Sequence, residues 1–128
     1  MRRSDQRRAA VFALYQGEVT GRSGTGEGAD AAAPEAAPFT RELVDGVEAH
    51  REELDGEIAS LARGWELGRI AALEKSILRV ALFELRYRED VPDEVAIDEA
   101  VTLAKRYCGA DAPGFVNGIL GAAARAKA

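Results

Sequence analysis

The chain has 128 residues, a hydrophobic share of 47% and a formal net charge of −5, enough for one domain that buries roughly two thirds of its unfolded surface. No apolar run approaches the ~20 residues that span a bilayer, and no apolar stretch follows Met1-Arg2-Arg3 as a secretory leader requires, so the cytoplasm is the expected compartment. The lone Cys108 excludes an internal disulfide and any multi-cysteine zinc site.

The charge is unevenly spread. Arg2, Arg3, Arg7 and Arg8 stand against Asp5 alone within residues 1–8, whereas the other 120 residues carry 13 basic and 21 acidic groups. An acidic body with one basic end steers a polyanion to that end.

In chain order, the first helix is predicted from Ser4 or Asp5 to Glu18, with Ser4 as N-cap and Asp5 at the positive end of the helix dipole. Val11, Leu14 and Tyr15 follow helical spacing; Arg7 lies toward the edge of that apolar stripe, and Arg8 is rotated further round. From Gly17 to Pro38 the composition shifts to five glycines, six alanines and two prolines in 22 residues. Such a segment buries too little to offset its ordering entropy, which predicts a mobile loop with at most a helical turn near residues 29–33. Leu43, Val47, Leu54, Ile58 and Leu61 then predict one helix over 39–62, with His50 or Arg51 at the missing turn. Gly46 and Gly56 each weaken it by about 1 kcal/mol unless another helix crosses closely, and Gly64 is expected to end it.

Trp65 and Leu67 lead into the strongest pattern, Arg69 to about Arg88, apolar around much of its circumference as a central helix must be. Glu84 stands out there as a charge inside an apolar stretch. Pro92 stops that run, Val95-Ala96-Ile97 packs a connection, and Asp98 is the expected N-cap of a helix ending near Tyr107. Gly109 suits the position past that end. A last helix should begin near Pro113 and carry Phe115, Val116, Ile119 and Leu120. With no alternating strand pattern, the fold class is all-α. We expect a compact bundle of two packed helical subdomains over one core, helix one and the 39–62 region being partly apart from the C-terminal helices.

Nothing reads as an active site. The single His50 sits among charged neighbours, Cys108 has no nearby histidine, and the glycines at 21, 24, 26 and 28 lack the lysine and strand of a phosphate loop. The pairs Glu52-Glu53 and Asp98-Glu99 lack metal-site or dyad spacing. No enzyme, no metal and no cofactor is expected. The arginine cluster has two readings: a solvated tail, or a site for single-stranded RNA, whose phosphates match arginine forks and whose unpaired bases stack on them. Phe115, after the turn-rich Ala110-Asp111-Ala112-Pro113-Gly114, is either a core staple at a helix start or an aromatic that stacks a splayed base.

Four ordered blocks narrow these choices. The stretches Arg79-Val80-Ala81-Leu82-Phe83-Glu84-Leu85 and Val91-Pro92-Asp93-Glu94-Val95-Ala96-Ile97-Asp98-Glu99-Ala100-Val101 resemble the NusB family signature. So do Leu103-Ala104-Lys105 with Phe115-Val116-Asn117-Gly118-Ile119-Leu120, and Arg7 followed by Ala13-Leu14-Tyr15. The resemblance covers helix one and everything from Phe39 onward. It implies an RNA-binding helical protein that recognises boxA of nascent ribosomal RNA, pairs with the ribosomal protein NusE, and joins RNA polymerase to suppress termination. It further implies that Arg3 and Arg7, in the arginine segment with Arg2 and Arg8, contact RNA together with Tyr15, and that Asp111 and Phe115 complete that surface. Glu84 is implied to lie on the face that meets NusE. Ser4 and Asp5 interrupt what is often a denser basic run in the family. The alternative is a homodimeric protein–protein scaffold that masks helix one. NusB-like domains also occur fused to ribosomal RNA methyltransferases, but this sequence has no cofactor-binding glycine motif.

Overall fold

A computed structural model describes residues 2–20, 37–62 and 66–127. Among them the chain forms α1 (Arg3–Thr20), α2 (Pro38–Ala49), α3 (Arg51–Leu61), α4 (Ala72–Tyr87), α5 (Asp93–Tyr107) and α6 (Ala112–Lys127), with a 3₁₀ turn at Leu67–Arg69. The described residues contain no strand.

The periodicity of α4 dictates the architecture. Every residue from Ser76 to Leu85 is buried, which a helix achieves only when neighbours cover it on all sides. α1, α2 and α3 pack on it from one half of the molecule, α5 and α6 from the other, so α4 belongs to both halves. Leu14, Leu43, Leu54, Ile58, Leu78, Leu82 and Leu120 are fully buried in a core drawn from all of these helices, to which α5 adds Leu103 and the small Ala96, Ala100 and Ala104 that let it approach closely.

Four boundaries differ from expectation. α1 runs on through Thr20, because Gly17 is buried within it and Glu18 is anchored by ion pairs to Arg51, Lys75 and Arg79. Tertiary contacts here outweigh the local glycine signal. The rest of the predicted loop, including the turn near 29–33, lies outside the described residues, as do Gly64 and Trp65.

The expected 39–62 helix is two helices. His50 breaks it at φ −116° and ψ 20°, its N–H donating to the carbonyls of Gly46 (3.1 Å) and Val47 (3.2 Å) while its own carbonyl accepts from Leu54 N–H (2.9 Å). Leu43, Val47, Leu54 and Ile58 still reach the core on either side. Gly46 has the close neighbour its position called for: a Cβ there would collide with the Phe83 ring of α4. Gly56 has open space and no crossing partner.

The central helix starts at Ala72, three residues later than expected, with Ile70 buried just ahead of it. α5, conversely, starts earlier. Pro92 is its N-cap, with its carbonyl accepting from Val95 N–H (3.0 Å) and Ala96 N–H (3.2 Å). A proline is preorganised for a helix start, and Asp93 and Glu94 suit the first-turn dipole. Asp98 is thus an exposed mid-helix residue and no cap.

Candidate nucleic-acid interface

The basic end of α1 is divided by helical rotation. Consecutive residues diverge by about 100°, which sends Arg7 inward and Arg8 outward. The Arg7 side chain is only 5% exposed; its Nε donates to both Glu84 carboxylate oxygens (2.9 and 3.0 Å), and Nη1 donates to Glu99 Oε1 (2.9 Å). Glu84 is 1% exposed. Burial pushes its carboxyl above the usual carboxylate range, against the opposing pull of the Arg7 hydrogen bond and charge.

Two of the expected site residues are therefore buried. Arg7 is withdrawn from the surface, its guanidinium occupied by carboxylates, and has no fork left for a phosphate. Glu84 faces Arg7 inside the protein and presents no surface to a partner. The odd charge in the central helix and the arginine at the edge of the α1 stripe explain each other.

The other arginines remain outside. Arg2 and Arg8 share Asp5, at 3.5 and 3.1 Å. Arg3 turns to a different flank: it pairs with Asp90 at 2.9 Å and lies 4.3 Å from the Phe39 ring centroid, a cation–π contact. Asp90 is held well below the usual carboxylate range by hydrogen bonds from Arg88 first and Arg3 second.

Arg2 and Arg8 line a cleft of about 220 Å³ whose far wall is α5, through Glu99, Thr102, Leu103 and Arg106. Tyr15 is half-buried about two turns beyond Arg8 along α1, beside Phe12 (ring centroids 6.3 Å apart, edge to face), and Phe12 meets Tyr107 of α5 in the same manner at 4.9 Å. At the start of α6, Asp111 is exposed and Phe115 half-buried. Both line a second, mostly apolar cleft of about 290 Å³ with Arg69, Ile70, Ala71, Glu74 and Ala112. Burial raises the Glu74 carboxyl, and burial together with the Glu74 charge raises the Cys108 thiol. The structure thus brings Arg2 and Arg8 together at one cleft and Asp111 and Phe115 at the other, with Tyr15 on the aromatic row beside the first.

Sequence reasoning missed Arg69, Arg106, Phe12 and Tyr107. Arg106 was legible only as a cation complementing the α5 dipole. Phe12 does lie four residues after Arg8 and three before Tyr15, on one helical face. Among the described residues no cluster of His, Cys, Asp or Glu could hold a metal ion, and no helix is long and apolar enough to cross a membrane.

Comparison with known proteins fits this geometry to a family. The family model described as NusB family matches residues 4–125. The chain is 54% identical over 91 residues to the transcription antitermination protein NusB of Symbiobacterium thermophilum, a match covering 71% of this chain and 60% of that protein. Its fold superimposes on NusB of T. maritima with a TM-score of 0.87 at 30% identity, covering 98% of this chain and 92% of that one. A chain from a crystal structure described as a plectonemic RNA supercoil also gives 0.87, at 28% identity over 99% and 97% of the two chains. With the model match spanning nearly the whole sequence and the helices superimposing throughout, the chain belongs to the NusB family.

Proposed function

We propose that the protein is a transcription antitermination factor that binds RNA without chemistry. With the ribosomal protein NusE it binds boxA of nascent ribosomal RNA and, within the RNA polymerase complex, suppresses termination. Arg2, Arg3 and Arg8 supply salt-dependent phosphate contacts; Tyr15, Asp111 and Phe115 supply stacking and edge contacts to unpaired bases. Arg7 and Glu84 hold α1 in place beneath that surface. One observation carries the reading: Tyr107, four residues before Asp111, packs on Phe12 of α1, so the arginine end of the chain and the start of α6 adjoin one aromatic row. The relatives named as antitermination proteins, and the similar chain from an RNA structure, support it.

The test is titration of a boxA-containing RNA with the protein, with and without NusE, at two salt concentrations. Binding that NusE strengthens, salt weakens and Arg8→Gln reduces is the expected result. No binding in any condition with folded NusE present overturns the proposal.

A further inference from the structure

We infer that the last turn of α5 is the second wall of the RNA groove: Arg106 binds a backbone phosphate and Tyr107, backed by Phe12, stacks an unpaired base. This rests on the RNA reading above and assigns to it residues that the arginine cluster of α1 does not include.

Charge is left unspent at the cleft between α1 and α5. Arg7 in the 220 Å³ cleft is neutralised by Glu84 and Glu99, and Arg2 and Arg8 divide the one carboxylate of Asp5. Arg106, exposed on the opposite wall, has no carboxylate partner among the described residues. The cleft lining carries Arg2, Arg7, Arg8 and Arg106 against Asp5 and Glu99, a local excess of positive charge in a protein of net charge −5 that draws an anion to it. The cleft volume equals about seven waters at roughly 30 Å³ each, room for a phosphodiester group, and the Thr102 hydroxyl on the same wall adds a donor.

The second element is the neighbouring ring. Tyr107 is 40% exposed, yet Phe12 holds it edge-on with the planes at 88°. A ring fixed in this way leaves a free surface for a base at little entropic cost, and base–aromatic stacking is sequence-tolerant because every base has a π-face. Arg8 and Phe12 lie one helical turn apart, about 6 Å along α1. Arg106 lines the cleft while Tyr107, rotated by about 100°, packs on Phe12 next to it, which sets a phosphate-binding group beside a base-stacking one.

Fluorescence anisotropy with a short single-stranded RNA carrying boxA, across a salt series, separates the two roles. Arg106→Gln should weaken binding at low salt and flatten the slope of log K against log salt by about 0.7. Tyr107→Leu should weaken binding about tenfold with the slope unchanged, and Tyr107→Phe should restore wild-type affinity. Arg125→Gln, on α6 outside the cleft lining, should bind as wild type; thermal unfolding confirms that each variant is folded. If the wild-type protein binds while Arg106→Gln and Tyr107→Leu bind equally well with the same slope, the α5 wall is wrong and the RNA reading stands. If Arg125→Gln flattens the slope as much as Arg106→Gln, the effect is net charge and the assigned site falls. Absence of wild-type binding takes down both.

Discussion

α1 is fastened to α4 at both ends by ion pairs of reversed polarity, and the two ends behave differently. Near its start, α1 supplies the cation and α4 the anion, Arg7 to Glu84; near its end, α1 supplies the anion and α4 the cation, Glu18 to Arg79. The first pair is dry, with Glu84 1% exposed, whereas Glu18 is 22% exposed and also reaches Arg51 and Lys75 at 2.6 Å each. Their carboxyls shift in opposite directions. Burial dominates at Glu84 and raises it; at Glu18 the Lys75 hydrogen bond dominates and lowers it. The same chemistry therefore yields opposite linkage once desolvation outweighs attraction.

The largest effect should come from Arg7→Met, which leaves Glu84 buried without its main partner and costs about 3–5 kcal/mol at pH 7. A raised carboxyl contributes stability below its ordinary value of 4.5 and loses it as pH rises through the folded value. Removing Arg7 raises Glu84 further, so the deficit of the variant should shrink as pH falls while still above 4.5. Urea unfolding from pH 8 to pH 5 measures this, and a deficit constant over that range would show that Glu84 is not left charged.

Glu84→Gln should cost less, about 1–3 kcal/mol, because Arg7 keeps Glu99 and the amide oxygen still accepts one of its donors. Its own pH dependence should be weak in the same window, since the titrating group is gone. A dependence as strong as that of Arg7→Met would show that Glu84 is not the group that titrates.

These pairs also mark where the sequence was legible. The all-α class, the central α4, the α6 start and the close crossing at Gly46 follow from local periodicity and volume, which the sequence carries directly. The extension of α1 past Gly17 does not, because Glu18 is held by residues 33 to 61 positions away. The break at His50 has no glycine or proline to announce it; the missing apolar turn was its sole trace. Pro92 locally signals a stop, although proline also starts helices. In the candidate site, Arg7 and Arg8 are the same residue type in adjacent positions, and only the inward rotation toward a glutamate 77 residues away separates a structural arginine from a surface one. Two charges out of place in apolar stripes were each other's clue.

The outer pair offers the next test. Glu18→Gln should cost about 1–2 kcal/mol at pH 7: Arg79, 3% exposed, keeps both carboxylate oxygens of Asp55, at 2.7 and 3.1 Å. A lowered carboxyl contributes stability above its ordinary value of 4.5 and loses it as pH falls through the folded value. The deficit should therefore persist from pH 8 to pH 5 and disappear only in stronger acid. The windows of the two α1–α4 pairs then lie on opposite sides of 4.5. Both deficits fading together above it would mean that the exposure difference does not set the shifts.

The smallest effect is expected at the surface pair Arg3–Asp90, where both side chains are about half exposed. Asp90→Asn should shift the unfolding midpoint at pH 7 only slightly, since solvent screens the exposed pair with Arg3, and Arg88, which also loses Asp90, keeps Glu42. Its carboxyl is lowered by Arg88 first and Arg3 second, so whatever these contacts contribute is present at neutral pH and is lost only in acid. The informative readout is RNA affinity at low salt. With Asp90 neutral, Arg3 is released from its competitor, and binding should tighten slightly and become more salt-dependent. Unchanged affinity and slope would place Arg3 off the RNA path, with Phe39 and Asp90 as its structural partners, and confine the phosphate contacts to the cleft between α1 and α5.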